Sequence, residues 1–449
     1  MPSRAPTDHD FSGHIARLTG IFADALAASG FDSVVLGAGL QHYRFLDDQP
    51  YPFAVNPHFQ WWAPIDNAPG SFLWIQPGGR PSLWFHQAED YWHKPPETPT
   101  DAWLSEFELS ILRHPSEAKA KVPAGAAFIG EPFAGIEEWG FRAVNPPALV
   151  DRLHWARAVK SPYELECMRI AARRGARAHL AAAAAFHQGA SEYDIHLAYL
   201  AASGHTEAGL PYPNIIALNE GAAILHYTEL QSQAPSHRRS FLIDAGAQFR
   251  GYACDITRTH AAQPGGRFGA LLEALDSAER RLCHMVRAGV HYPSIHSAAH
   301  RWVGEILASE GIVTCSAETA VESGLTSIFF PHGIGHLLGL QVHDIGGHQA
   351  GPTGGHNPPP SVDRYLRLTR TLDAGTVVTI EPGIYFIDLL LAQAQKDGRG
   401  RDIAWDVVNE LRPYGGVRVE DDVVATMGDP ENLTRDAFGE LAAAVMGPQ

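Results

Sequence analysis

The chain has 449 residues, 45% hydrophobic and 19% charged, a globular composition at a length that exceeds one ordinary domain. Its 34 Lys plus Arg stand against 50 Asp plus Glu, a formal charge of −16. That balance excludes the basic footprint of a nucleic-acid binder and docking on an anionic membrane, and it suits a chain that binds a cation.

DFSGHIARLTGIFADALAASG has apolar residues at helical spacing and stops at Gly30. DSVVLGAG follows as a short buried strand. SFLWIQPGGRPSLWFHQ reads as a hairpin turning at Pro77, Gly78 and Gly79. AAFIGE, from Ala126 to Glu131, is another strand, followed by a helical PFAGIEEWG. A boundary falls near Lys160, dividing the chain into a mixed-sheet α/β domain, 1–158, and a second domain, 159–449. There Ser161 is placed as N-cap, Pro162 as first helical residue and Glu164 as capping-box acid of a long helix. A second helix is capped by Ser191. Strands follow in NIIALNEGAAILHY, SFLIDAG and GYACDITRTH, then helices near 267–287 and 294–309. TVVTIEPGIYF and GVRVEDDVVAT are the clearest strands of the last third. The Gly/Pro-rich stretch 347–361 is expected to form no regular element and to serve as a functional loop. LLLAQAQKDGRGRDIAWDVVNELRPYGG reads as an insertion with one helix near its C-terminal end.

Four cysteines (Cys167, Cys254, Cys283, Cys315) form no C-x-x-C pair, which excludes a disulfide scaffold or a zinc-finger core. MPSRAPTDHDFSGHIARL carries no apolar signal segment, and HLAAAAAF around Leu180 is far short of the roughly 20 residues of a membrane span. The expectation is a soluble, reduced, cytoplasmic protein.

Asp244 and Asp255 sit inside apolar, β-prone runs, where a carboxylate is costly to bury unless paired or metal-bound. They are equidistant from a turn centred near Phe249 and Arg250. In that antiparallel register they face each other with Cα atoms roughly 4.5–5.5 Å apart, so a positive charge belongs between them. His332 and His336 have helical zinc spacing, but Gly333 and Gly335 argue for a loop or strand, and the Glu of H-E-x-x-H is absent. Glu381 and Glu420 each end an apolar strand. Four carboxylates and one imidazole make a hard-oxygen site for two divalent cations. Cys254, next to Asp255, alternates to the opposite face and is a poor ligand.

Asp, Asp, His, Glu, Glu in this order resembles the ligand set of the pita-bread metallohydrolases, motif by motif: LIDAG, DITRT, HGIGH, TIEPG and VRVED. FLDDQPYPFAVNP, DYWHKP and EPGIYFIDLLL resemble the proteobacterial Xaa-Pro dipeptidase (prolidase) subgroup, some of whose members hydrolyse organophosphorus triesters. The resemblance implies a creatinase-like N-terminal domain and a pita-bread catalytic domain. It also implies two divalent metals per subunit, Mn2+ foremost, with Zn2+ or Co2+ as alternatives. Asp244 would hold one metal, His336 and Glu381 the other, and Asp255 and Glu420 would bridge. A hydroxide between the metals would attack the peptide carbonyl, with Glu381 as proton shuttle. His226, His332 and His343 would stabilise the oxyanion and hold substrate. His348 and His356 are read as plain structural histidines.

Arg367 corresponds to the prolidase arginine for the substrate's free carboxylate. Arg418, two residues before Glu420, shares the ligand face by strand alternation. Tyr212, Leu225, Tyr292, Val342 and Leu366 resemble pocket-lining residues. Asp48 and Trp92 resemble residues that cap the neighbouring subunit's site, which implies a homodimer. The implied substrate is an Xaa-Pro dipeptide. Aminopeptidase P, acting on longer peptides, is the alternative; a metal-free binding module or a creatinase-type hydrolase is disfavoured by the complete ligand set.

Overall fold

The structure is a computed structural model that describes residues 8–446. Two compact units emerge. One comprises the chain through Cys167 together with Arg250–Tyr252 and Gln349–His356; the other comprises the rest.

In the first unit, α1 (Asp8–Ser29) buries Phe11, Ile15, Leu18, Phe22 and Leu26 along one stripe and ends where Gly30 turns left-handed at φ 74°. β1 (Val34–Gly37) precedes α2 (Pro57–Trp62), β2 (Phe72–Ile75), β3 (Ser82–His86), β4 (Glu108–Leu112), β5 (Ala127–Ile129), β6 (Ala143–Val144) and α3 (Pro147–Arg157). The sheet order is β4-β3-β2-β1-β5-β6. β1 pairs antiparallel with β2 and parallel with β5, so the sheet is mixed. Val35, Phe72, Trp84, Leu112 and Phe128 form its core on one face; each such burial contributes about 1.5–3 kcal/mol. The segment expected as helical PFAGIEEWG is only a 3-10 turn, Ile136–Trp139, because Gly135 and Gly140 on either side are both left-handed.

α4 (Pro162–Gln188) opens on the capping box read from the sequence: Ser161 N donates to Glu164 Oε2 at 2.8 Å and Glu164 N to Ser161 Oγ at 3.3 Å. Buried Glu164 also accepts from Trp61 Nε1 at 3.0 Å and from Arg17 at 3.3 Å, so its charge is fully satisfied.

In the second unit, α5 (Glu192–Ser203) is capped by Ser191, and β7 (Ile215–Leu218) and β8 (Ser240–Asp244) follow. β9 (Gln248–Phe249) and β10 (Tyr252–Ala253) flank a turn, and β11 (Thr257–Ala261) closes an antiparallel sheet β11-β8-β7. Ala178, Ala182 and Phe186 of α4 pack on Ile216, Phe241 and Ile243; the alanines let the helix approach the sheet. The strand expected through Tyr227 stops at Leu218. Asn219 turns left-handed at φ 55°, its Oδ1 accepts from Arg239 N at 2.8 Å, and a 3-10 turn replaces the strand.

α6 (Gly266–Cys283), α7 (Tyr292–Ser309), α8 (Ala317–Glu322) and α9 (Thr326–Phe329) come next. The stretch expected to be irregular contains a small hairpin of the first unit, β12 (Gln349–Gly351) with β13 (Gly354–His356). β14 (Val377–Ile380) and β15 (Gly383–Tyr385) precede the insertion, which holds two helices rather than one: α10 (Asp388–Asp397), stopped by left-handed Gly398, and α11 (Trp405–Leu411). β16 (Gly416–Arg418), β17 (Asp421–Val424), β18 (Glu431–Asn432) and α12 (Leu433–Met446) complete the chain. β17 lies between β14 and β18, while β15 pairs with β16. A bridge between Thr257 and Glu420 joins β11 to this second set of strands. Among the described residues, no helix is long and apolar enough to cross a membrane.

Candidate metal centre

Asp244 ends β8 and Asp255 lies just before β11, but they are not directly opposed. The register pairs Asp244 with Thr257, and Ala245 N bonds Ile256 O at 3.0 Å. Arg250 and Gly251 are both left-handed, at φ 52° and 82°, which centres the turn one residue later than expected and shifts the pairing by two. A shift of two preserves the face, so both carboxylates still point the same way. Tyr212 Oη donates toward both, at 2.9 Å to Asp244 Oδ1 and 2.5 Å to Asp255 Oδ1.

His336 is presented by an extended loop. Residues 334–337 run antiparallel to β14: Glu381 N donates to Ile334 O at 2.9 Å and Thr379 N to His336 O at 3.0 Å. Left-handed Gly335, at φ 150°, permits this approach, since a Cβ there would collide with Thr379 O. His336 Nδ1 donates to Leu337 O at 3.0 Å, which leaves the Nε2 lone pair facing Asp255 Oδ2 at 3.5 Å and Glu381 Oε1 at 3.9 Å. Glu420 is held by Thr257, whose backbone O accepts from its N at 3.1 Å and whose Oγ1 donates to its carboxylate at 2.7 Å.

Asp255, His336 and Glu420 offer ligand atoms within 4.8 Å of one another. Burial and mutual repulsion push the Glu420 carboxyl well above its ordinary range, and burial raises Asp244 and lifts Glu381 to about 7. The guanidinium here, Arg418, donates to Asp244 Oδ2 at 2.6 Å, one positive charge against two buried carboxylates, Asp255 and Glu420, and two half-buried ones, Asp244 and Glu381. Acceptors converging with a charge deficit are what hard divalent cations satisfy, so the residues present fit such ions.

A cavity of about 900 Å3 opens onto the centre and is lined by all five of these groups. Of the other expected site residues, Leu225, His226, His332, His343, Leu366, Arg367 and Arg418 line it as well. The His343 ring stands edge-on to His336 at 4.5 Å, and burial beside His336 and Arg367 lowers its pKa to about 4. His332 Nδ1 donates to Gly333 O at 2.8 Å, so its Nε2 accepts from Tyr385 Oη at 2.8 Å. Burial lowers His332 to about 3 and keeps the ring neutral.

Four expected residues lie elsewhere. Tyr292 is fully buried and donates to Thr379 O at 2.8 Å, behind β14, so it supports the strand leading to Glu381. Asp48 and Trp92 belong to the first unit, where both are exposed and Trp92 is 77% accessible. Val342 is half-buried beside His343 and does not line the cavity. Sequence reasoning missed two supports. Tyr385 takes Arg418 Nη1 at 3.1 Å while donating to His332, and Thr257 serves Glu420 and Arg418 together. No local sequence signal marked either one: Tyr385 reaches Arg418 through the β15 register that sets Gly383 against Arg418.

Residues 9–155 match the family "Xaa-Pro dipeptidase, N-terminal domain", and residues 166–427 match "Metallopeptidase family M24". Curated proteins named Xaa-Pro dipeptidase from Stenotrophomonas maltophilia (strain K279a) and Xanthomonas campestris pv. campestris (strain 8004) are each 48% identical over 431 residues, covering 95% of this chain and 97% of the relative. Zinc-substituted aminopeptidase P of Escherichia coli in complex with product superposes with a TM-score of 0.71 at 22% identity, over 99% of both chains. Aminopeptidase PepP of Pseudomonas aeruginosa gives 0.71 at 22%, over 97% of this chain and 99% of that one. At that identity these structures establish the shared pita-bread architecture alone. The match over more than half of the chain and the near-full-length relatives settle the ancestry: the chain belongs to metallopeptidase family M24, on its Xaa-Pro dipeptidase (prolidase) branch, whose members work with divalent metal ions.

Proposed function

We propose that the protein is a dinuclear Xaa-Pro dipeptidase that releases proline from dipeptides. The observation that carries this reading is the convergence of four carboxylates, two buried and two half-buried, and His336 on one cavity in a chain of this family. Asp244, Asp255, His336, Glu381 and Glu420 would hold two divalent ions, with Mn2+ favoured by the oxygen-rich set. Such ions, when bound, lower the pKa of water toward neutrality and polarise a carbonyl oxygen.

The protein's own groups do the rest. Arg418, Tyr385 and His332 form a donor chain ending at Gly333 O, which fixes the His332 ring beside the cavity. His226 and His343 line the same wall and are suited to hold the substrate and its oxyanion. Glu381 lines the cavity 3.6 Å from His332 Nδ1 and would carry a proton toward the departing proline nitrogen. Arg367, exposed on the cavity rim, supplies the charge for the free carboxylate of a dipeptide, with Leu225 and Leu366 shaping the pocket and Tyr212 and Tyr292 bracing Asp244 and the strand before Glu381.

We read residues 1–158 as a domain that pairs subunits. Phe45, Leu46, Tyr91 and Trp92 are 77–91% exposed, an unusual apolar surface that supports a homodimer with Asp48 and Trp92 near the partner's site. Four unpaired cysteines support a reducing, cytoplasmic setting. Organophosphorus triesters are a side substrate within reach of the same chemistry.

The test is an assay of metal-stripped protein with and without Mn2+ on Ala-Pro and on a longer Ala-Pro peptide. Mn2+-dependent cleavage of the dipeptide alone is expected. Cleavage of the longer peptide instead would make the protein an aminopeptidase P and remove the assigned role of Arg367.

A further inference from the structure

The spacing H-x-x-x-H falls on a loop at 332/336, but it recurs at 296/300, and there it falls on a helix. α7 places His296 and His300 one turn apart on the face that also carries Tyr292. Their rings are 4.7 Å apart, and both side chains line the 900 Å3 cavity. Asp363 reaches them from a 3-10 turn held by Asp363 N to Pro360 O at 2.9 Å and Leu366 N to Asp363 O at 2.8 Å. The three residues offer ligand atoms within 4.8 Å of one another, and none belongs to the five-residue centre.

Several details favour a metal over a structural hydrogen bond. His296 Nε2 lies 3.4 Å from Asp363 Oδ1, long for a hydrogen bond. Two ligands on one tetrahedral ion with bonds of about 2.1 Å stand about 3.4 Å apart. His296 is 2% exposed, so its ring offers a ligand atom out of bulk water. His300 Nδ1 lies 2.9 Å from Thr326 Oγ1, which leaves Nε2 for an ion, as outer hydrogen bonds do at histidine metal sites. Burial lowers both rings to about 4, so at neutral pH both are uncharged and carry a free lone pair. Phe330 packs against both rings, at 5.8 and 5.1 Å, and shields that side from water.

We propose that His296, His300 and Asp363 bind one further divalent cation of the imidazole-preferring class, Zn2+ foremost, on the wall of the substrate cavity. Two imidazoles and one carboxylate leave a coordination position open, and the ion sets positive charge on a wall that otherwise presents neutral rings. The site is separate from the five-residue centre and does not depend on the dipeptidase reading.

The test is a Zn2+ titration of metal-stripped, full-length protein by calorimetry, in wild type, Glu420→Gln, and Glu420→Gln combined with His300→Gln or with Asp363→Asn. Glu420→Gln is expected to keep one Zn2+ equivalent, and either second substitution to weaken it by about a hundredfold. Circular dichroism verifies that each variant is folded, and Asp363→Asn, at a half-buried turn, serves if His300→Gln is not. Crystals of Glu420→Gln soaked in Zn2+ should show an anomalous peak among the three side chains. An unchanged titration after both substitutions, or no peak at saturating Zn2+, overturns the proposal and leaves the dipeptidase reading intact. Zn2+ bound among these three residues in a protein that never cleaves Ala-Pro sinks the dipeptidase reading and leaves this one standing.

Discussion

Glu420 and Asp421 are chain neighbours, both at most 2% exposed, yet they look into opposite worlds. Asp421 faces Arg258, 2.7 Å away, and Arg435, 2.5 Å away, and the two guanidiniums hold its carboxyl down at about 2. Glu420 faces Asp255, Glu381 and Asp244, and its carboxyl is pushed well above the usual range. Glu279 and Cys283 join Asp421 in a cluster close enough for a metal, but the arginines already supply its positive charge. On the cavity side a single guanidinium, Arg418, stands against four carboxylates. A buried carboxylate held between two guanidiniums is structural, and a group of four that shares one guanidinium needs a cation from solution.

The comparison can be broken at either neighbour. Glu420→Gln should abolish metal binding at the centre and reduce Ala-Pro hydrolysis to background, while the metal-free variant melts higher than metal-free wild type, because a buried repulsion is removed. A lower melting temperature for the metal-free variant would mean that Glu420 is already compensated. Asp421→Asn should do the reverse. It takes a buried charge partner from Arg258 and from Arg435, which keeps Glu279 and Asp276, costs about 3 kcal/mol in urea unfolding, and keeps the metal content unchanged. Loss of metal without loss of stability would exchange the two roles.

A smaller effect separates charge at the rim from charge at the centre. Arg367→Ala should raise KM for Ala-Pro about tenfold and leave an uncharged ester substrate nearly unaffected, with kcat unchanged for both. Equal losses on both substrates would remove Arg367 as the carboxylate anchor. The smallest effect concerns a buried base. His179 donates to Ala245 O at 2.9 Å, and burial lowers its pKa to about 3. The unfolded ring titrates near 6.5, so this contribution to stability is complete above that pH and is lost as pH falls from 6.5 toward 3, at up to about 1.4 kcal/mol per pH unit. His179→Gln, which can still donate to Ala245 O, should flatten the acid side of the stability curve by one proton. An unchanged slope would place that titration elsewhere.

Much of this was legible in the sequence because the signals are local. Ser161 and Glu164 announce a capping box, and both of its hydrogen bonds form. An acid at the end of an apolar run marks each of the strand-borne carboxylates. What was not legible depended on partners distant in sequence or on unusual backbone. The Asp244–Asp255 register hinged on Arg250, a non-glycine residue in a left-handed conformation that no propensity favours. The β12–β13 hairpin is built from glycines and carries no β-branched signal. Tyr385 and Thr257 became site residues only when β15 met β16 and β11 met Glu420. Arginine companions were equally invisible: nothing near DD at 421–422 says that Arg258 and Arg435 come to one carboxylate and not to its neighbour.

The most direct test of the cation-dependent centre is to count tightly bound Mn2+ by mass spectrometry on wild type and Glu420→Gln while following Ala-Pro hydrolysis. Two equivalents per chain in wild type, lost together with turnover in the variant, are the result this account predicts. Full turnover by metal-stripped wild type, or a Glu420→Gln variant that keeps both ions and its activity, would contradict it.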